Sequence, residues 1–160
     1  MTALPASTQR VVDAAHALGL EIEVREFPEG TRTAEDAARA VGVTVGQIVK
    51  TLIFLADTSP VVCFVSGVNR LDTQRLAAAS GAAKIGRADA DAVRAATGYA
   101  VGGVPPFGYP APLTAYCDPD LLQYDAVWVA GGTPHSVFPI DPHRLVEVTS
   151  AQIVNLKEES

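Results

Sequence analysis

Residues 48–67, IVKTLIFLADTSPVVCFVSG, decide the fold of this 160-residue chain. Two runs rich in β-branched and aromatic residues, 48–56 and 61–67, are separated by the turn-like DTSP, and this pattern predicts a β-hairpin. Apolar residues occupy both faces of the first run, so we expect the hairpin to be covered on both sides and to form the centre of the core.

Helix and strand patterns follow one another on both sides of the hairpin. Helices are predicted at 7–18, 33–42, 72–79, 89–96 and 141–145. Further strands are predicted at 21–27, 113–116, 124–130 and 137–140. Ser7 or Thr8 is the expected N-cap of the first helix, and Thr33 that of the second. Together these elements predict an α/β fold: a single domain over residues 1–160 with a curved, mixed and mainly antiparallel sheet flanked by helices.

Composition narrows the class of protein. Hydrophobic residues make up 48% and charged residues 19% of the chain, as in a compact soluble domain. The N-terminal residues lack a basic segment followed by an apolar run, and no stretch approaches the ~20 apolar residues of a membrane span, so we expect a cytoplasmic protein without a membrane partner. Cys63 and Cys117 are expected to be reduced thiols. The three histidines are too scattered to predict a metal site, and no other cofactor is expected.

A loop that combines glycine and proline lies at 101–108, VGGVPPFG. Its glycines permit positive φ and close approach of a ligand to the backbone, whereas Pro105 and Pro106 fix φ and remove donors. The segment fits neither G-x-x-x-x-G-K-[ST] nor G-x-G-x-x-G, and no G-x-S-x-G motif occurs. If the chain is an enzyme, we expect catalysis without a strong protein nucleophile.

Two side chains are candidates for a functional site. Lys50 interrupts a strand that is apolar on both faces, and burying an unpaired ammonium is costly. The lysine either extends along the apolar surface to reach water or provides a cation at the mouth of a pocket, and both interpretations are open. His135 follows a predicted strand and two glycines, where a loop histidine is either solvent-exposed without a role or part of a site.

Four motifs occur in a distinctive order: VKTLIF at 49–54, NRLD at 69–72, GYAVGGVPPFG at 98–108 and GGTPH at 131–135. This set resembles the YbaK/EbsC family, which is related to the insertion editing domain of bacterial prolyl-tRNA synthetase, and the resemblance covers nearly the whole chain. It implies a trans-editing hydrolase that deacylates mischarged aminoacyl-tRNA carrying small amino acids, with tRNA-Pro as one candidate carrier. Two alternatives stay open: a non-catalytic module that binds tRNA or a synthetase, and a hydrolase of another small aminoacyl ester.

The resemblance also implies roles for individual residues. The family's G-x-x-x-P motif falls on 102–106, so Gly102 and Gly103 would approach the aminoacyl carbonyl while the prolines keep the loop from collapsing. Lys50 matches the functional lysine and would anchor the phosphate or ribose end of the terminal adenosine, or contact the ester. His135 would orient the substrate's amino or ribose hydroxyl group. The substrate-binding positions would be Phe27, Thr31, Thr51, Ser66, Asn69, Val104, Pro105, Pro106 and Phe107.

Specificity and partners are implied less sharply. The narrower YbaK type that clears cysteinyl-tRNA lacks a histidine at the position of His135, which favours alanine and related small residues over cysteine. The expected partner is the acceptor end of aminoacyl-tRNA, with a synthetase or an elongation factor supplying further affinity. The chain itself is expected to be a monomer or a weak homodimer. Its formal net charge of -6 is unlike that of a free-standing nucleic-acid binder, so a local basic set would have to hold the acceptor end. That set is Lys50, Arg70, Arg75, Lys84 and Arg87.

We therefore expect the isolated chain to bind tRNA weakly and with strong salt dependence. A few phosphate contacts made by a local basic set would lose roughly 10- to 100-fold in affinity between about 50 and 200 mM salt, because each contact releases counterions. Titration of a fluorescently labelled acceptor-stem RNA at several salt concentrations measures this. Tight binding that does not change with salt would contradict the local basic set.

Overall fold

A computed structural model describes residues 4–31 and 33–159 of the chain. The helices are α1 (Ala6–Ala17), α2 (Ala34–Val41), α3 (Thr73–Ser80), α4 (Ala90–Thr97) and α5 (Pro142–Thr149). The strands are β1 (Arg25–Glu26), β2 (Val49–Ala56), β3 (Ser59–Ser66), β4 (Ile85–Arg87), β5 (Thr114–Cys117), β6 (Val127–Ala130), β7 (Ser136–Ile140) and β8 (Gln152–Ile153). Two short 3₁₀ helices occupy Val45–Gln47 and Pro119–Gln123.

The predicted hairpin is confirmed and forms the centre of the larger sheet. β2 and β3 pair antiparallel from Val49 opposite Ser66 to Ala56 opposite Ser59. The larger sheet has the order β4-β2-β3-β5-β8, in which β3–β5 and β5–β8 are parallel. A smaller antiparallel sheet has the order β1-β7-β6, and a parallel bridge between Ile48 and Trp128 joins the two. The α/β class with mixed pairing and flanking helices is confirmed, although the strands divide into two sheets instead of one.

Both faces of the hairpin are covered, as the sequence predicts. On one face, Ile53 and Phe64 belong to the main core, to which α1, α4 and α5 contribute. On the other face, Cys63 and Val65 pack with Leu76 of α3. This double burial explains why the strand is apolar at successive positions, and it leaves Lys50 as the exception.

The two cysteines lie in these buried strands. Cys63 and Cys117 are both free thiols with no exposed surface, which confirms the expectation of reduced thiols. Burial raises the pKa of each thiol to about 12, and Asp118 adds to this effect at Cys117. Both therefore stay protonated and act as small apolar core residues.

Capping interactions confirm three of the predicted helix starts. The Thr33 hydroxyl accepts a hydrogen bond from the N–H of Asp36 at 3.0 Å at the start of α2, which ends at Gly42 with φ of 80°. The carboxylates of Asp72 and Asp89 accept hydrogen bonds from backbone N–H groups in the first turns of α3 and α4. These side chains satisfy donors that a helix start leaves without partners.

The prediction for the first helix is wrong in its cap. α1 begins at Ala6 after Pro5, so neither Ser7 nor Thr8 is the N-cap. Thr8 instead lies inside the helix, fully buried, with its hydroxyl oxygen 3.4 Å from the Ser136 hydroxyl oxygen. The Thr8 hydroxyl therefore contacts β7 and does not cap the helix.

Several strand and helix bounds also differ from the prediction. The strand expected at 21–27 is reduced to Arg25–Glu26, because only these two residues pair with β7. The strand expected from residue 124 begins at Val127, after the 3₁₀ helix Pro119–Gln123, and the last helix extends to Thr149. β4 and β8 were not predicted, since strands of two or three residues carry no periodicity of their own. Within the described ranges, no helix combines the length and apolar character needed to cross a bilayer.

Candidate functional site

A gap along one edge of β2 opens into a cavity. β3 covers the other edge of β2 throughout, but β4 pairs only with residues 54–56, and the bridge to Trp128 lies at Ile48. Between these two points the edge is left open. Residues 48–52 line a cavity of about 430 Å³ there.

Five of the predicted site residues line this cavity: Thr31, Lys50, Thr51, Gly102 and Val104. They come from three distant parts of the chain, namely the loop before α2, the strand β2 and the glycine and proline loop. Apolar residues of β6 and β7, together with the first turn of α2, complete the walls.

A second cavity, of about 480 Å³, adjoins the first. The two share the lining residues Thr51, Leu52, Val101, Gly102 and Val104. The second adds Arg87 and the N-terminal end of α4. The backbone at Gly102 therefore borders both compartments of one cleft.

Lys50 is a half-buried cation at the wall of the first compartment. Its Nζ donates a hydrogen bond to the backbone oxygen of Asn69. Burial lowers the pKa of Lys50, and Arg70 adds to this effect, whereas the carboxylates of Glu35 and Asp118 raise the pKa. Of the two interpretations of this lysine, the cation beside a pocket matches its position.

The two glycines of the loop differ in what their amides do. Gly102 has φ of 89°, and its N–H has no hydrogen-bond acceptor among the residues that the structure describes. The N–H of Gly103 instead donates to the Ala100 oxygen at 3.0 Å, and Gly103 is absent from the cavity lining. A Cβ at Gly103 would lie 2.8 Å from the Cα of Thr133. Gly103 therefore packs the loop against a neighbouring backbone, contrary to the expectation that its amide reaches the substrate.

The prolines and Phe107 support this loop from behind. The Pro105 oxygen accepts a hydrogen bond from the Tyr109 hydroxyl at 2.5 Å. Pro106 and Phe107 line a third cavity, next to α1, and the Phe107 ring lies 6.0 Å from that of Phe138 between centroids. These three predicted substrate-binding residues are buried away from Lys50 and hold the loop in shape.

His135 and Phe27 lie on two loops that are hydrogen-bonded to each other and lie outside the lining of the cavity. The His135 oxygen accepts from the Phe27 N–H at 2.8 Å, and the Pro134 oxygen accepts from the N–H and hydroxyl of Thr31 at 2.8 and 3.1 Å. The exposed imidazole lies beside Gly30, and neither His135 nor Phe27 lines the cavity. These bonds join the two loops to each other. Of the four bonded residues, only Thr31 lines the cavity.

Ser66 and Asn69 belong to the surroundings of a buried carboxylate that sequence analysis missed. Asp118 is 1% exposed and accepts from the Ser66 N–H at 3.1 Å and from Asn69 Nδ2 at 2.7 Å. The Ser66 hydroxyl donates to the Gly46 oxygen at 2.8 Å. Neither residue lines the cavity, so their predicted contact with substrate is replaced by structural contacts. The available signal was the sequence CDPD at 117–120, which is typical of a turn.

The predicted basic set does not form one cluster. Lys50 and Arg87 line the two compartments of the cleft. Arg70 and Arg75 form ion pairs with acidic side chains nearby, and Lys84 is exposed. Two cations of the set therefore face the cleft.

Comparison with known proteins identifies the family. The profile of the aminoacyl-tRNA editing domain matches residues 28–148, which is most of the chain. The chain belongs to the aminoacyl-tRNA editing domain family. This editing domain is 31% identical over 131 residues to the Enterococcus faecalis protein named "Putative Cys-tRNA(Pro)/Cys-tRNA(Cys) deacylase EbsC", covering 81% of the chain and 80% of that relative.

Two further relatives agree with this assignment. The editing domain is 34% identical over 102 residues to proline–tRNA ligase of Nitratidesulfovibrio vulgaris strain DP4, a match that covers 64% of the chain and 18% of the ligase. The crystal structure of "a putative trans-editing enzyme for prolyl tRNA synthetase" superposes with a TM-score of 0.93 at 45% identity, covering 98% of the chain and all of that protein. The resemblance to the YbaK/EbsC family, its fold and its function class in aminoacyl-tRNA editing are confirmed.

The packing role assigned to Gly103 predicts an asymmetric response to alanine. Gly103→Ala is expected to destabilise the editing domain by roughly 1–3 kcal/mol, because the new Cβ would overlap the Thr133 backbone. Gly86→Ala is the matched control, since its Cβ would meet only the Leu55 Cβ, at 3.8 Å, and neither glycine has a positive φ. Denaturant unfolding measures both, and equal stability of the two variants would contradict the packing role.

Proposed function

We propose that this chain is a trans-editing hydrolase that removes small amino acids from mischarged tRNA, with tRNA-Pro as the carrier. The observation that carries the proposal is the convergence of Lys50, Thr51 and Gly102 on one cavity in a chain of the editing family. The names of two relatives, which mention Cys-tRNA(Pro) and prolyl tRNA synthetase, support the choice of carrier.

The two adjoining compartments fit a substrate made of two parts. Ile48, Trp128 and Val137 give the first compartment an apolar wall that suits a small aliphatic side chain. Arg87 gives the second a cation that suits the ribose and phosphate of a terminal nucleotide. Gly102 borders both compartments, at the point where the ester bond would join the two parts.

Hydrolysis at this point needs polarisation of the ester rather than a protein nucleophile. A water oxygen attacks the carbonyl carbon and the water gives up a proton while negative charge develops on the carbonyl oxygen. The bond to the ribose oxygen then breaks as that oxygen takes up a proton in turn. We assign the stabilisation of this charge to the free N–H of Gly102, and a fixed donor of this kind contributes about 3 kcal/mol. Contact with the carbonyl, which the sequence suggested for two glycines, is thus assigned to Gly102 alone. The ammonium of Lys50 adds positive charge to the same cavity.

Thr51 and His135 take supporting parts in the proposal. The Thr51 hydroxyl is buried and has no hydrogen-bond partner among the described residues, although it belongs to a residue that lines the cavity. A buried hydroxyl without a partner is costly, and rotation of the Thr51 side chain toward the cavity would let the hydroxyl accept from the α-amino group of the substrate. His135 is exposed, and its loop is bonded to Thr31 of the first compartment, so we assign it to the amino-acid end of the substrate.

Removal of the Lys50 ammonium tests the proposal. Lys50→Ala and the shape-preserving Lys50→Met are expected to lower the rate of deacylation by about 100-fold or more, because the developing negative charge loses the cation that lines the first compartment. Both variants should melt at or above the temperature of the unaltered protein, since a half-buried charge is removed. Arg94→Ala, which removes an exposed charge from α4, is the matched control and should keep its rate.

Substrate choice is measured with a deacylation panel. tRNA-Pro charged with alanine, serine, threonine, cysteine, 2-aminobutyrate or proline is incubated with and without the protein, and the free esters are run in parallel. Turnover of at least one small aminoacyl-tRNA that disappears in Lys50→Ala supports the proposal. No turnover of any charged tRNA by the folded protein would instead support a binding module, and equal turnover of free esters would support a general esterase.

A further inference from the structure

Asp118 is a buried carboxylate held by hydrogen bonds alone. It is 1% exposed, and no lysine or arginine of the described residues forms an ion pair with it. Its Oδ1 accepts from the Asp120 N–H at 2.9 Å and caps the 3₁₀ helix Pro119–Gln123. Carboxylates that are in contact with solvent cap α3 and α4 in the same way, so capping does not explain why this one is buried at considerable cost.

The second oxygen of Asp118 reaches toward the site. Oδ2 accepts from the Ser66 N–H at 3.1 Å and from Asn69 Nδ2 at 2.7 Å. Asn69 is fixed further by its N–H, which donates to the Ser66 oxygen at 2.9 Å, and by a second bond from Nδ2 to Asp120 at 2.8 Å. The backbone oxygen of this immobilised residue accepts the hydrogen bond from Lys50 Nζ.

Asp118 is also the buried countercharge of Lys50. Among the charged groups that act on the ammonium, Glu35 from α2 has the largest effect, followed by Arg70 from the loop after β3 and then by Asp118. Glu35 is exposed, so water screens it, whereas Asp118 acts through the protein interior. Asp120 lies further out and is paired with Lys157 Nζ at 3.1 Å.

We propose that Asp118 is a positioning residue for Lys50: through its hydrogen bond to Asn69 it fixes the ammonium at the cavity wall. An ammonium carries three donors, so the bond to Asn69 orients the group and leaves two donors for the substrate. The consequence for deacylation rests on the proposed function, whereas the coupling of Asp118 to Lys50 does not.

The coupling is tested without any substrate, by NMR titration of lysine side chains labelled with ¹³C at Cε. The chain has three lysines, Lys50, Lys84 and Lys157, so Lys50→Met assigns the signal. Loss of a nearby negative charge favours the neutral amine, so Asp118→Asn is expected to move the Lys50 midpoint to lower pH. Asp57→Asn is the control and should leave that midpoint unchanged.

Asp57, like Asp118, accepts hydrogen bonds from backbone N–H groups, but it lies far from Lys50 along the hairpin. Its Oδ1 accepts from the N–H groups of Ala83 and Lys84, each at 3.1 Å, at the opposite end of the hairpin. Its φ of 56° is one that asparagine tolerates, so the substitution preserves the fold.

Deacylation is then measured against pH, with the uncatalysed rate subtracted. A reaction that needs protonated Lys50 loses activity as the pH rises through the pKa of Lys50, so Asp118→Asn should move this alkaline limb to lower pH. A purely structural loss would instead reduce the active fraction at every pH and leave the limb in place. Asn69→Ala removes the hydrogen bond between residue 69 and Asp118 but keeps the Asp118 carboxylate. This variant should therefore lower kcat about tenfold and leave the alkaline limb of the pH profile unchanged.

The outcomes separate the two proposals. Unchanged Lys50 midpoints in Asp118→Asn, or a normal kcat in Asn69→Ala, would overturn the positioning role. If Asp118→Asn does not fold, Asn69→Ala decides alone, through kcat and its melting temperature. A shifted midpoint together with no deacylation by the unaltered protein would overturn the proposed function and leave the coupling standing.

Discussion

The unpaired stretch of β2 between Ile48 and Phe54 is the constraint on which the rest of the structure depends. A strand edge carries N–H and C=O groups that require a partner, and here the smaller sheet contributes one bridge while β4 reaches only the far end. The loop at 101–108 lines the gap without pairing with it. Gly103 packs against Thr133 and holds the loop from behind, and under the proposed function a loop fixed in this way is the condition for an effective backbone donor.

Much of this fold is predictable because its main elements are locally encoded. The hairpin combines two strand-like runs with a turn, and Thr33, Asp72 and Asp89 mark helix starts by chemistry that acts within three residues. The short strands are different in kind. Ile85–Arg87 and Gln152–Ile153 extend only because a neighbouring strand offers an edge, so no window of sequence contains the reason.

The site was predictable where a residue conflicts with its surroundings. Lys50 is visible because an ammonium does not belong in an apolar strand. Gly102 and Gly103 could not be told apart, since the fate of each amide depends on Ala100 and on a segment thirty residues away. Asp118 was missed because a buried carboxylate and an exposed turn carboxylate have the same local sequence pattern. Only the tertiary structure determines that this one has almost no contact with water.

The burial of both native cysteines has a practical consequence. With thiol pKa values near 12 and no exposed surface, Cys63 and Cys117 supply almost no thiolate at neutral pH. Val101 is 58% exposed and borders both compartments, so a cysteine introduced there would be the reactive thiol of the chain. A fluorophore or spin label attached at that position would report substrate entering the cleft in real time, without prior removal of the native sulfur.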